Sequence, residues 1–130
     1  MKTTDKILVD TSIWIEYFNK PQSPHGKEVA HLIEGDRIVL CGIIIAELLQ
    51  GASSIQEYNE LKDTLLLLPF LEESSSTWEK TGRVSFELRR NGKTIPITDC
   101  LIAVLAEQNN CIIYTLDTHF ANMKGTRLYK

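Results

Sequence analysis

Apolar residues along this chain fall into two alternating kinds of run, short unbroken ones and longer ones spaced by three and four. Lys6 to Asp10 holds an unbroken apolar core that ends on an acid, and Ile13 to Phe18 follows with helical spacing after a turn at Thr11-Ser12. The same alternation predicts a helix around Lys27 to Ile33, a strand at Arg37 to Cys41, and a helix from Ile43 to Gln50 that Gly51 closes. Ile55, Tyr58, Leu61 and Leu65 mark one face of a helix reaching Leu66, and the run to Leu71 holds a short strand bounded by Pro69. Ser76 is expected to cap a long helix that Asn91-Gly92 stops after Arg90. A loop with Pro96 then leads to Asp99, expected to open a helix through Gln108, and the β-branched run Cys111 to Thr115 is the last strand. Asn19 to Gly26 and Ser74 to Ser76 are the loose segments.

Short apolar strands alternating with helices need crossover connections and cover on both faces. The predicted fold class is therefore α/β, a three-layer α/β/α sandwich around a central, mostly parallel sheet. Ligands of such sheets bind outside the carboxyl ends of the strands. Asp10 and Asp117 fall just past strand ends, and Glu47 and Asp99, near helix starts after loops, can reach the same edge.

Composition narrows this further. A length of 130 residues suits one domain spanning residues 1–130, and 43% hydrophobic with 24% charged residues excludes wholesale disorder. The polar stretch Met1 to Lys6 has no apolar signal core, no run reaches membrane-spanning length, and Cys41, Cys100 and Cys111 form no CxxC pair. A cytoplasmic protein with free thiols, not a membrane protein, is expected.

A net charge of −3 runs against a nucleic-acid enzyme, but its distribution changes the picture. Residues 1–79 carry 6 basic against 13 acidic side chains, whereas residues 80–130 carry 8 against 4. Arg83, Arg89, Arg90 and Lys93 lie near Asp99 in sequence, and Lys124, Arg127 and Lys130 near Asp117; of these, Arg89, Arg90 and Lys93 are the candidates for contact with an RNA backbone. A solvated helix face and a basic tail explain the same residues.

Each acid also has an ordinary explanation. Asp10 and Asp99 are good helix caps, and Asp117 suits a turn whose backbone it bonds. Glu47 differs, because Ile43-Ile44-Ile45-Ala46 and Leu48-Leu49 flank it and leave little room for a solvated face. If the four converge, their mutual repulsion calls for a divalent cation. A set of oxygen donors favours Mg²⁺ or Mn²⁺ over Zn²⁺, and the chemistry such a site serves is phosphodiester hydrolysis, with one ion or two.

Four segments in order resemble the PIN domain over nearly the whole chain: Leu8-Val9-Asp10-Thr11-Ser12, Ala46 to Gly51, Ile97 to Ala103, and Thr115-Leu116-Asp117-Thr118-His119-Phe120. Length and order look most like the VapC-type toxins of toxin–antitoxin pairs. The resemblance implies a sheet of about five strands, Mg²⁺- or Mn²⁺-dependent endoribonuclease activity, a cognate antitoxin that blocks the site, and a homodimer. It assigns the acidic cluster to Asp10, Glu47, Asp99 and Asp117, and a hydroxyl near the metal to Ser12 or Thr11. The family often carries a further acid two residues after the last one, where this chain has His119; packing or capping is expected of it.

Trp14, Phe18, Trp78 and Phe86 are expected to be core or dimer contacts rather than base-stacking platforms, and His25 and His31 to be surface or satisfied polar groups. Two rival functions stay open. A Mg²⁺-dependent aspartyl-phosphate enzyme or receiver would use a similar sheet, but a phosphatase of that kind needs a second Asp where Ser12 stands. A PIN-like module that binds RNA or protein without cutting would be the outcome of a degenerate site, yet all four acids are present.

Overall fold

In the computed structural model, which describes residues 4–130, the elements follow in the order β1 (Ile7–Val9), α1 (Thr11–Asn19), α2 (Pro24–Glu34), β2 (Ile38–Cys41), α3 (Gly42–Gln50), α4 (Ile55–Leu65), β3 (Phe70–Leu71), α5 (Ser75–Arg90), α6 (Ile97–Gln108) and β4 (Ile112–Tyr114). A short 3-10 helix, Thr118–Asn122, comes after β4. The polar start at Met1 to Thr3 lies outside the described residues.

The strands are parallel and ordered β3-β2-β1-β4. Chain order runs from β1 outward to β2 and β3, then returns to place β4 on the other side of β1, so the sheet reverses direction between β1 and β4. Right-handed crossovers then put α1 to α4 on one face and the α5–α6 pair on the other. Helices on both faces explain why β1, β2 and β4 are buried throughout, and why they read as unbroken apolar runs rather than alternating ones. Trp14, Ile44, Leu65, Leu105 and Phe120 fill the space above and below the sheet, each contributing roughly 1.5–3 kcal/mol of apolar burial.

The expected sandwich is present, with four strands among the described residues instead of about five. The fifth position is occupied by the single parallel bridge Ile113–Leu128, in which Ile113 N–H donates to the Arg127 carbonyl and Tyr129 N–H to the Ile113 carbonyl, both at 2.8 Å. The chain lies beside β4 there too briefly to build a ladder.

Three helix starts differ from expectation. Helix α2 begins at Pro24 inside the segment expected to be loose, because proline suits a first helical position and the Ser23 hydroxyl accepts Gly26 N–H at 3.0 Å. Ser74, not Ser76, caps α5, in a reciprocal box with Thr77. Helix α6 starts at Ile97 after Pro96, so Asp99 sits within its first turn instead of opening it. Trp14 is fully buried with Phe18 stacked on it, but Trp78 and Phe86 are 55% and 58% exposed on α5, so the core expectation fails for those two. The three cysteines are buried and free, and burial pushes the Cys41 thiol up to about 12.

Candidate active site

Asp10 leaves β1 with extended backbone, and its N–H donates to the Tyr114 carbonyl at 2.9 Å, joining the ends of β1 and β4. It stands at the cap position of α1 but makes no side-chain cap bond, which removes the capping explanation. Its carboxylate, on a residue only 7% exposed, accepts instead from the Thr115 hydroxyl at 2.7 Å and more weakly from the Ser12 hydroxyl at 3.4 Å, both on Oδ2. The same two hydroxyls each accept a backbone N–H of the loop after β4, Leu116 on Ser12 at 3.1 Å and Asp117 on Thr115 at 2.9 Å. One pair of hydroxyls thus fixes both the first acid and the loop that carries the last. In sequence Thr115 ends a strand and opens the fourth segment that resembles the PIN domain, but nothing there assigns it a role, since that role depends on the pairing of β1 with β4.

Glu47 projects from α3 and accepts from the Thr11 hydroxyl at 3.1 Å. The flanking apolar residues keep it half-buried, and burial raises its carboxyl above the usual range, with Asp10 and Asp99 adding repulsion and the Thr11 bond opposing them. Asp99, in the first turn of α6, is raised chiefly by burial as well; the His119 bond opposes this, while Asp117 and Asp10 push it further up. Asp117 does act as a local cap, accepting His119 N–H at 2.9 Å at the start of the 3-10 helix, yet the same oxygen lies 3.0 Å from His119 Nδ1. His119 Nδ1 is also 2.8 Å from Asp99 Oδ2, and that bond chiefly raises the imidazole's affinity for its proton.

Hydrogen bonds chain the four acids together: Thr11, next to Asp10, bonds Glu47, Thr115 bonds both Asp10 and the Asp117 N–H, and His119 bonds Asp117 and Asp99. The group of ligand atoms within 4.8 Å of one another among the described residues leaves out Asp10 and Glu47. The four acids gather where the strand order reverses between β1 and β4, the usual ligand crevice of an open parallel sheet. Carboxylates raised by burial and by one another suit a divalent cation, which relieves both effects. The donor set fits such an ion, and it includes a nitrogen as well as oxygens: ligand atoms of Asp99, Asp117 and His119 all lie within 4.8 Å of one another.

The candidate phosphate contacts stand apart from this cluster. Arg89 and Arg90 form the exposed last turn of α5, with the Arg90 guanidinium 5.6 Å from the Phe86 ring centre. Helices α5 and α6 run antiparallel, Thr77 at the start of one bonding Gln108 at the end of the other at 2.8 Å, so Arg89 and Arg90 lie toward the Asp99 end of α6. Lys93 lines a cavity of about 250 Å³ between α5, α6 and the 3-10 helix, with Lys80, Val104, Met123 and Lys124. His25 bonds the Tyr114 hydroxyl at 2.6 Å, the satisfied polar role expected of it, and His31 is exposed.

The family pattern described as PIN domain matches residues 7–125. Ribonuclease VapC11 of Mycobacterium tuberculosis is 35% identical over 118 residues, 88% of each chain. Among solved structures the chain is similar to VapBC from Salmonella typhimurium bound to DNA, with a TM-score of 0.80 and 25% identity over 95% of this chain and 96% of that one. It is equally similar, at 0.80 and 23% identity with the same coverage, to VapBC2 of Rickettsia felis bound to a DNA fragment from its promoter.

Proposed function

The chain belongs to the PIN-domain family, and from that premise we propose that it is a Mg²⁺- or Mn²⁺-dependent endoribonuclease, a hydrolase acting as the toxin of a toxin–antitoxin pair. The observation that supports this is the chain of hydrogen bonds that ties Asp10, Glu47, Asp99 and Asp117 into one neighbourhood beside the ends of β1 and β4. The whole of residues 1–130 acts as one nuclease domain.

The chemistry a divalent cation supplies, when held by these four acids, is activation of water for in-line attack and neutralisation of charge growing on the phosphate oxygens. This chain's residues supply the geometry. Thr115 and Ser12 hold Asp10 through Oδ2, leaving Oδ1 for a ligand, and Thr11 holds Glu47 through Oε1. Ser12 and Thr11 are thus positioning hydroxyls. Arg89, Arg90 and Lys93 receive the RNA backbone beyond the cut, contributing affinity without sequence choice.

The relatives solved as VapBC support a cognate antitoxin for this chain, and a homodimer in the cytoplasm completes the proposal. Among the described residues no helix is long and apolar enough to cross a membrane. Purified protein incubated with total cellular RNA and Mg²⁺ or Mn²⁺ is expected to give discrete fragments that vanish with chelator and with Asp99→Asn. Intact RNA under every condition, or fragments that survive both treatments, contradicts the proposal.

A further inference from the structure

The fragment Asp117-Thr118-His119 sets an imidazole two residues after the last of the four acids, and the structure puts that ring between Asp99 and Asp117. Nδ1 lies 2.8 Å from Asp99 Oδ2 and 3.0 Å from Asp117 Oδ1. Two neighbouring donors on an octahedral ion with bonds near 2.1 Å are separated by about 3.0 Å. Both observed separations have that length. All three donor atoms lie within 4.8 Å of one another, against the roughly 4.2 Å that two such bonds span in line, so a small inward movement of the two carboxylates brings all three onto one ion. The ring is also held in place before any ion arrives. Its backbone N–H is bonded to Asp117, whose own N–H is bonded to Thr115, which in turn holds Asp10.

Resting on the metal-dependent role proposed above, we infer that His119 is a ligand of the bound cation through Nδ1, and that it shifts the site's preference from Mg²⁺ toward Mn²⁺. Magnesium keeps oxygen ligands and dehydrates reluctantly, so it gains little from an imidazole. Mn²⁺ also favours oxygen and is the weakest binder of the first-row series, but it belongs to the series whose ions take imidazole, so the expected shift is in the Mn²⁺-to-Mg²⁺ ratio. To hold an ion, Nδ1 would have to be unprotonated, any proton on it passing to solvent or to Nε2.

The test uses the full chain, as wild type, His119→Asn and His119→Asp, with circular dichroism melts to confirm folding. Electron spin-echo modulation of bound Mn²⁺ should show coupling to a nitrogen-14 nucleus in the wild type and none in His119→Asn. Calorimetric affinities for the two ions should show the wild-type preference for Mn²⁺ over Mg²⁺ falling at least about tenfold in His119→Asp, on the scale of losing a partner that supports a metal ligand. Mn²⁺ that binds without nitrogen coupling, coupling that persists in His119→Asn, or an unchanged affinity ratio overturns the inference while leaving the metal site standing. Failure of the wild type to bind Mn²⁺ at all removes both.

Discussion

Glu47 and Asp10 show how differently two carboxylates of one cluster are supported. Asp10 is held by two hydroxyls, whereas Glu47 has one, and burial together with Asp10 and Asp99 raises its affinity for a proton. A carboxyl whose folded value lies above its unfolded one favours the fold when protonated. That advantage is present at acid pH and is lost as pH rises through the unfolded value and then the folded one. Glu47→Gln keeps an acceptor for Thr11 and removes the charge, so in chelator at pH 7 it should melt higher than the wild type. The gap should close below about pH 4, where ordinary carboxyls are protonated. A lower melting temperature for the variant at pH 7 would contradict this account of the site's electrostatics. All four acids could be picked out from the sequence because Asp10, Asp99 and Asp117 stand at the edge of apolar runs and Glu47 interrupts one. What a single chain does not display is their dependence on partners. Asp10 offers in sequence a capping explanation that the structure removes, since its carboxylate makes no cap bond and accepts from Thr115 instead, and the contact of His119 with Asp99, twenty positions earlier, has no sign in sequence.

At the level of elements, strands and helices were legible from periodicity, and errors gathered at helix starts. Pro24 reads as a breaker in a loose segment and is instead a first helical residue; three consecutive serines, Ser74 to Ser76, are equally able to cap, and only the reciprocal bond with Thr77 selects the first. The start of α2 makes a sharper demand at Gly26, where an added Cβ would lie 2.6 Å from the Lys20 carbonyl oxygen and 2.8 Å from that of Pro21. Backbone cannot yield as a flexible side chain would, so Gly26→Ala should cost about 1–3 kcal/mol of stability by overpacking. Urea unfolding measures this; an unchanged midpoint would mean the turn before α2 adapts. Ser74→Ala should cost about 1 kcal/mol through the lost cap, with ribonuclease activity unaltered because α5 carries none of the four acids and Ser74 caps the end of it opposite to Arg89 and Arg90.

For the whole molecule, the order β3-β2-β1-β4 was not legible, since parallel pairings join segments far apart in sequence and no local signal ranks them. That order makes the site, because it sets the ends of β1 and β4 side by side. The uneven distribution of charge was legible, and the fold carries Arg89 and Arg90 of the basic C-terminal part toward the end of α6 that holds Asp99. If both touch RNA phosphates, the double variant Arg89→Ala, Arg90→Ala should bind single-stranded RNA more weakly and with a salt dependence shallower by about 1.4 in log–log slope. An unchanged slope would return these residues to a solvated helix face.

On the proposed function, Asp10, Glu47, Asp99 and Asp117 together hold the ion that serves RNA hydrolysis. Diffraction at the manganese absorption edge from crystals grown with Mn²⁺ locates that ion. An anomalous peak between these carboxylates, lost in Asp99→Asn crystals grown the same way, is the result expected. A peak elsewhere, or none at the junction of β1 and β4 with Mn²⁺ in excess, would contradict the assignment.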